Sequence, residues 1–204
     1  MIGFILAVSG VLISIVLLLH IWKGIPYGQL TRDLTTIAGT PLYAGFLSRI
    51  GNCFWFAAAA VCMFSAAVLS RSPESIEVKR FLFVFGLLTL VLGLDDAFLL
   101  HEGLRSFGIP EILVFSGYAG FVLFCLVRFI SIILKTEYVL LGMALAFFGI
   151  SITLDLLQPR GLNPYLFEDG AKLAGIVSWL SYFSHAGAFA VHRHMAGDTI
   201  DTRS

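Results

Sequence analysis

Six long apolar runs, separated by short polar segments, dominate the chain. Each run is close to the ~20 apolar residues that a helix needs to cross the ~30 Å hydrocarbon core of a bilayer. A helix satisfies its backbone hydrogen bonds within its own span, which a lipid-exposed loop cannot do. The runs cover residues 2–19, 53–69, 81–100, 112–134, 138–157 and 168–191. The pattern therefore predicts an all-α polytopic membrane protein, a bundle of about six transmembrane helices.

The composition supports a membrane protein and excludes a soluble domain of this size. Apolar residues make up 58% of the chain and charged residues 13%, against about 25% charged residues in soluble proteins. The mean hydropathy is +0.93. The formal net charge is zero, so no basic face is available for nucleic acid. We expect an integral protein of a bacterial inner (plasma) membrane, with the lipid bilayer as a partner and no nucleic-acid partner.

The polar segments between the runs contain no soluble domain. We expect a single transmembrane helical domain over residues 1–195 and a polar C-terminal tail over residues 196–204. Residues 24–46 are too polar and too rich in Gly and Pro to span, and we expect them at the membrane interface. Small residues in the third and sixth runs predict close helix approach. They are Gly86, Gly93, Gly170 and Gly175.

Ionisable side chains inside the runs concentrate towards one side of the membrane. Each costs about 2.5–3.5 kcal/mol to insert, so such groups tend to face the bundle interior and to have partners. Successive spans alternate in direction, which places the ends of the first, third and fifth runs beside the start of the sixth. The residues gathered there are His20, Asp95, Asp96, His101, Glu102, Asp155, Glu168, Asp169 and Lys172. We therefore expect a polar site in one leaflet.

Helical spacing narrows this set to candidate catalytic residues. Asp95 and Glu102 are seven apart, which puts them on one face of a continuous helix, two turns apart. Glu168 and Lys172 are four apart, with the acid on the N-terminal side, the favourable order for an ion pair. We take these two pairs as the candidate catalytic residues of the site.

A divalent metal ion is the first chemistry that fits the cluster. Carboxylates together with histidine suit Zn, Mn or Fe, and helical bundles build such sites from inward-facing acids and imidazoles. The candidate ligands are Asp95, Asp96, His101, Glu102 and Asp155. A bound metal would activate water at the membrane boundary, which favours a hydrolase of a lipid-like substrate. The pattern is short of histidine and contains neither an HExxH nor an ExxH motif.

Three other interpretations stay open. Chains of acids with a lysine partner are common in proton and cation pathways, so the protein is alternatively a proton- or cation-coupled transporter or channel. It is alternatively a non-catalytic subunit of a membrane complex, with other membrane proteins as partners. In the structural interpretation, Asp155, Glu168 and Lys172 pair only to hold the helices together. The residues alone do not decide whether the protein is an enzyme.

Overall fold

The computed structural model describes residues 2–69, 73–157 and 164–201, and every regular element within them is an α-helix. The helices are α1 (Ile2–Lys23), α2 (Tyr27–Thr31), α3 (Leu34–Ala38), α4 (Phe46–Val68), α5 (Pro73–Phe98), α6 (Leu100–Arg105), α7 (Glu111–Arg128), α8 (Ile130–Ile133), α9 (Tyr138–Leu157) and α10 (Pro164–Asp201). The all-α prediction is confirmed.

Five of the described helices are long and apolar enough to cross a membrane: α1, α4, α5, α7 and α9. By length and composition they are the helices of a membrane protein, as predicted. The sixth predicted run lies in α10, which is helical from end to end but is not among these five. Its serines, together with Lys172 and His185, lower its apolar character.

The chain forms two compact units, residues 1–46 and residues 47–204. In the first unit, α1 is followed by the short helices α2 and α3, which occupy the segment that the sequence marks as too polar to span. Nδ1 of His20 lies 2.8 Å from the carbonyl oxygen of Ile25, and its ring stacks on Tyr27 with ring centroids 3.9 Å apart. His20 therefore closes the C-terminal end of α1 through local contacts.

An aromatic core holds the second unit together. Trp179 of α10 is fully buried, and its ring packs against Phe85 of α5 and Trp55 of α4, with centroids 5.9 and 6.1 Å away. Its indole N–H donates a 2.9 Å hydrogen bond to the hydroxyl of Thr89 on α5. Trp55 also stacks on Phe148 of α9 at 5.5 Å. Four helices thus contact one another through packed aromatic rings. Burial of these rings stabilises the unit, and the indole N–H of Trp179 has a hydrogen-bond partner.

Three of the four predicted glycines do lie at close helix contacts. A Cβ added at Gly86 would lie 3.1 Å from Cys62, and one at Gly93 would lie 3.0 Å from Trp55, both on α4. A Cβ at Gly175 would lie 2.6 Å from the ring of Phe148. Gly170 has open space on its Cβ side, so the prediction is wrong for this residue.

The helix boundaries depart from the apolar runs where a local feature overrides hydropathy. α5 ends at Phe98 because Leu99 takes a left-handed conformation, with φ +51°. The fourth run is divided at Phe129, which separates α7 from α8. At the C-terminal end, α10 continues to Asp201, so residues 196–201 extend the last helix.

Candidate functional site

A turn at the end of α5 brings Asp95 and His101 together. Leu99, between α5 and α6, takes a left-handed backbone conformation that ends one helix before the next begins. As a result, the backbone N–H of His101 donates a 2.9 Å hydrogen bond to Oδ1 of Asp95. The second carboxylate oxygen, Oδ2, lies 2.7 Å from Nδ1 of the same histidine. One carboxylate therefore caps the first turn of α6 and orients the imidazole.

This arrangement leaves the second ring nitrogen of His101 available for chemistry. A carboxylate is an acceptor, so in the neutral imidazole Nδ1 carries the proton and donates to Asp95, and Nε2 presents a lone pair. Within the described residues, Nε2 makes no hydrogen bond. Asp95 is only 5% exposed, which strengthens its electrostatic hold on the ring. A carboxylate–imidazole pair of this kind can accept a proton from water or a substrate.

Two aromatic side chains of α7 border the Asp95–His101 pair. The ring of Phe115 lies 5.1 Å from that of His101. The phenol of Tyr118, one turn further along α7, interacts with the Asp95 carboxylate. Side chains of α7 therefore border the Asp95–His101 pair from a second long helix.

Asp96, the next residue on α5, faces a different helix. Its carboxylate accepts a hydrogen bond from the ammonium of Lys172 on α10, and the two form an ion pair. Consecutive residues of a helix point about 100° apart, so the tandem aspartates serve two separate partners. The Asp96 side chain is nearly buried, whereas that of Lys172 remains 39% exposed.

A small cleft adjoins the Asp96–Lys172 pair. It has a volume of about 20 Å³, enough for about one water molecule. Asp169 contributes a further acid, and the lining consists of Leu47, Ser48, Gly51, Asp96, Asp169, Lys172, Leu173 and Ile176. Glu168 interacts electrostatically with Asp155, Asp169 and Lys172. The ends of α5 and α9 and the start of α10 thus meet, as the alternation of spans predicts.

The two predicted catalytic pairs have different partners in the structure. Asp95 and Glu102 do not share a face, because the helix breaks at Leu99 between them, and Glu102 is exposed on α6. Lys172 lies near Glu168, but its hydrogen bond goes to Asp96. Both pairings are therefore corrected: Asp95 pairs with His101, and Asp96 pairs with Lys172.

The five predicted metal ligands do not converge. Over residues 2–69, 73–157 and 164–201, no group of three or more His, Cys, Asp or Glu side chains is arranged to hold a metal ion. Asp95 and His101 are in contact, whereas Asp96 turns towards α10 and Glu102 towards the outside. Asp155 lies at the end of α9, near Glu168.

Sequence reasoning missed Tyr118 and two buried polar atoms on α4. Tyr118 carries a polar hydroxyl in the middle of an apolar run. This difference in polarity is the sequence feature that could have identified it. Oδ1 of Asn52 and Nε1 of Trp55 are buried and have no hydrogen-bond partner among the described residues. Asn52 immediately precedes the second apolar run, where a polar residue is expected, so the sequence gives no sign that it is buried. Such orphaned groups are rare in folded proteins.

Comparison with known proteins places the chain in one family. No curated protein and no solved structure matches it. The model of the family described as "Domain of unknown function (DUF8692)" matches residues 4–186, which includes α4–α9, most of α10 and both the Asp95–His101 and the Asp96–Lys172 pairs. Since the match spans most of the chain, the protein belongs to this family.

Proposed function

We propose that the protein is a membrane enzyme that hydrolyses a lipid-like substrate, with His101 as the general base and Asp95 as the residue that orients it. The observation that supports this proposal is the 2.7 Å contact between His101 Nδ1 and Asp95 Oδ2, which directs the free Nε2 away from the carboxylate. The pair lies at the end of the α5 span, where lipid head groups and water meet. We place the enzyme in a bacterial inner membrane.

The reaction is a general-base hydrolysis. Nε2 of His101 takes a proton from a water molecule as the water oxygen bonds to the substrate's ester carbon or phosphorus. Asp95 stabilises the imidazolium that forms. When the ester bond breaks, the imidazolium returns its proton to the departing oxygen. One product thus gains the hydroxyl group of water and the other its hydrogen, and the dyad ends unchanged.

A metal-dependent form of the same proposal uses the dyad differently. Zn, Mn or Fe bound by Asp95 and His101 would polarise the ester oxygen and lower the pKa of a bound water. Those two side chains are adjacent, but a stable site needs further ligands from water, substrate or a rearranged neighbour. Chelation therefore separates the two forms of the proposal.

The test measures hydrolysis by the whole protein in phospholipid nanodiscs. The probes are p-nitrophenyl palmitate and a set of glycerolipid esters, with and without EDTA. His101→Asn and Asp95→Asn should each lower the rate by about 10²–10⁴-fold, the usual contribution of a general base. His185→Asn, an exposed histidine of α10, should leave the rate unchanged. Full activity in the His101 variant would overturn the proposal, as would no hydrolysis of any probe.

A proton- or cation-coupled transporter is the second candidate, and the Asp96–Lys172 pair favours it. An ion pair beside a water-sized cleft, with Asp169 on the lining and Glu168 close by, resembles a relay more than an ester-binding site. Proteoliposomes loaded with a pH-sensitive dye should then show flux that Asp96→Asn abolishes and Glu77→Gln, at an exposed pair, preserves. No flux of protons, Na⁺ or K⁺ would remove this candidate.

A further inference from the structure

An apolar groove runs between α5 and α7, with a volume of about 370 Å³. All of its lining side chains are hydrocarbon, apart from the phenol oxygen of Tyr118. They are Val84, Leu87, Leu88, Val91, Tyr118 and Phe121. The volume lies in the range of sites that bind small organic molecules, about 300–1,000 Å³.

The Asp95–His101 pair lies close to this groove. Val84, Leu88 and Val91 follow one another at helical spacing on α5, and Asp95 continues the same stripe one turn after Val91. On α7, Tyr118 lines the groove and also interacts with the Asp95 carboxylate. Tyr118 thus lies beside both the apolar groove and the Asp95 carboxylate, which puts the polar pair next to one end of the groove.

The groove is open because α7 is loosely packed. Cys125 is the one described residue of α7 that is fully buried within the helix bounds. Val91 of α5 and Phe121 of α7, on the groove walls, are each a little under half exposed. Both helices are long and apolar enough to span a membrane, and in a bilayer this opening would face hydrocarbon. A ligand can therefore enter sideways from the lipid phase without crossing water.

We propose that this groove binds the hydrocarbon chain of one lipid whose uncharged head group, bearing hydroxyl or ester oxygens, lies against Asp95 and His101. Lipid tails are as apolar as leucine, so the groove alone provides little preference for a bound chain over bulk lipid. Selectivity must come from the polar end. His101 Nε2 can accept a hydroxyl proton, and the adjacent Asp95 carboxylate disfavours a second negative charge. A neutral glycerolipid fits both conditions, and a fatty-acid carboxylate does not.

This inference names the substrate class of the proposed hydrolase. The claim that the bound lipid is hydrolysed rests on the proposed function, whereas the claim that the groove binds a lipid does not. Binding is measured in phosphatidylcholine nanodiscs with a monoacylglycerol that carries a diazirine in its chain. After illumination, mass spectrometry maps the labelled peptides. We expect saturable labelling at residues 84–91 and 118–121. Excess monoolein should reduce that labelling by about tenfold, and the same excess of oleate should reduce it far less.

Matched tryptophan substitutions test whether the groove itself is the site. Leu87→Trp places an indole in the groove, where Leu87 is 42% exposed, and should reduce the saturable labelling by about tenfold. Leu123→Trp adds the same ring to α7 at a position that is 61% exposed and outside the groove. It should leave the labelling unchanged. Equal effects of the two variants would overturn the inference.

His101→Asn separates this inference from the proposed reaction. The variant should still be labelled along the groove, because the apolar walls are intact, and should still prefer monoolein over oleate, because the Asp95 carboxylate remains. Its hydrolysis of ester probes should fall, because the general base is missing. Saturable, monoolein-selective labelling in a protein that hydrolyses nothing would support the binding site and overturn the enzyme. Uniform labelling of all lipid-facing positions, without competition by monoolein, would overturn the binding site whatever the activity.

Discussion

Lys172 on α10 donates a hydrogen bond to Asp96 on α5, joining residues 76 positions apart in the chain at the polar end of the bundle. The pair ties the start of the last long helix to the end of the second long helix of the 47–204 unit. Few other polar contacts join these two helices: the described ones are this pair and the Trp179–Thr89 hydrogen bond. The contribution of the Asp96–Lys172 pair to the free energy of unfolding can be measured separately from that of the aromatic core.

We expect Asp96→Asn and Lys172→Met each to destabilise the protein. Removing one partner of a buried ion pair leaves an uncompensated charge and costs about 3–5 kcal/mol. Lys172 is 39% exposed, so the loss should fall at or below the lower end of that range. The double variant should recover part of it, because no unpaired charge remains. Unfolding midpoints in dodecyl maltoside provide the measurement, and strictly additive losses would show that the pair is not coupled.

The hydroxyl of Thr89 provides a second prediction. It donates to the carbonyl of Phe85 at 2.6 Å and accepts from the indole of Trp179 at 2.9 Å. Thr89→Val keeps the shape but leaves the buried N–H of Trp179 without an acceptor, which should cost about 1–3 kcal/mol. Thr153→Val is the control, since its hydroxyl also bonds the carbonyl four residues back but is exposed. Thermal unfolding followed by tryptophan fluorescence should separate the two variants.

Glycine contacts on α10 provide a third prediction. At Gly175 an added Cβ would lie 2.6 Å from the Phe148 ring and 3.3 Å from the carbonyl of Ala144, so Gly175→Ala should lose about 1–3 kcal/mol through overpacking. Gly170, on the same helix, has open space. Gly170→Ala should be neutral or stabilising by up to about 1 kcal/mol, because alanine favours the helix. Equal unfolding midpoints for the two alanine variants would contradict the close approach of α9 and α10.

Leu99 provides a fourth prediction, because its φ of +51° is unfavourable for a residue with a side chain. Leu99→Gly should relieve the strain and stabilise the protein by about 1–2 kcal/mol. The neighbouring Leu100 is equally exposed, at 48%, but is the first residue of α6. Leu100→Gly should therefore destabilise by about 1 kcal/mol. If both glycine variants were destabilised alike, the left-handed turn between α5 and α6 would be ruled out.

Hydropathy along the chain was enough to predict the class of protein, and the alternation of spans was enough to predict which acids lie near one another. Hydropathy summed over some 20 residues is a local property, and it predicted α9 to the residue and the other spans approximately. The alternation of spans likewise anticipated that α5, α9 and α10 bring acids together. Of the four glycines predicted to allow close helix approach, three do so.

The pairing of the charged residues, in contrast, followed from how the helices pack. Partner choice depends on the rotation of each helix about its axis, which the packing of Trp55, Phe148 and Trp179 sets, and no local pattern encodes that rotation. The turn at Leu99 moved His101 rather than Glu102 to Asp95. The groove beside Tyr118 exists because α7 packs loosely against α5. The alternative pairings differ in free energy by only a few kcal/mol. That difference arises from contacts between residues distant in sequence, which the spacing along one helix cannot predict.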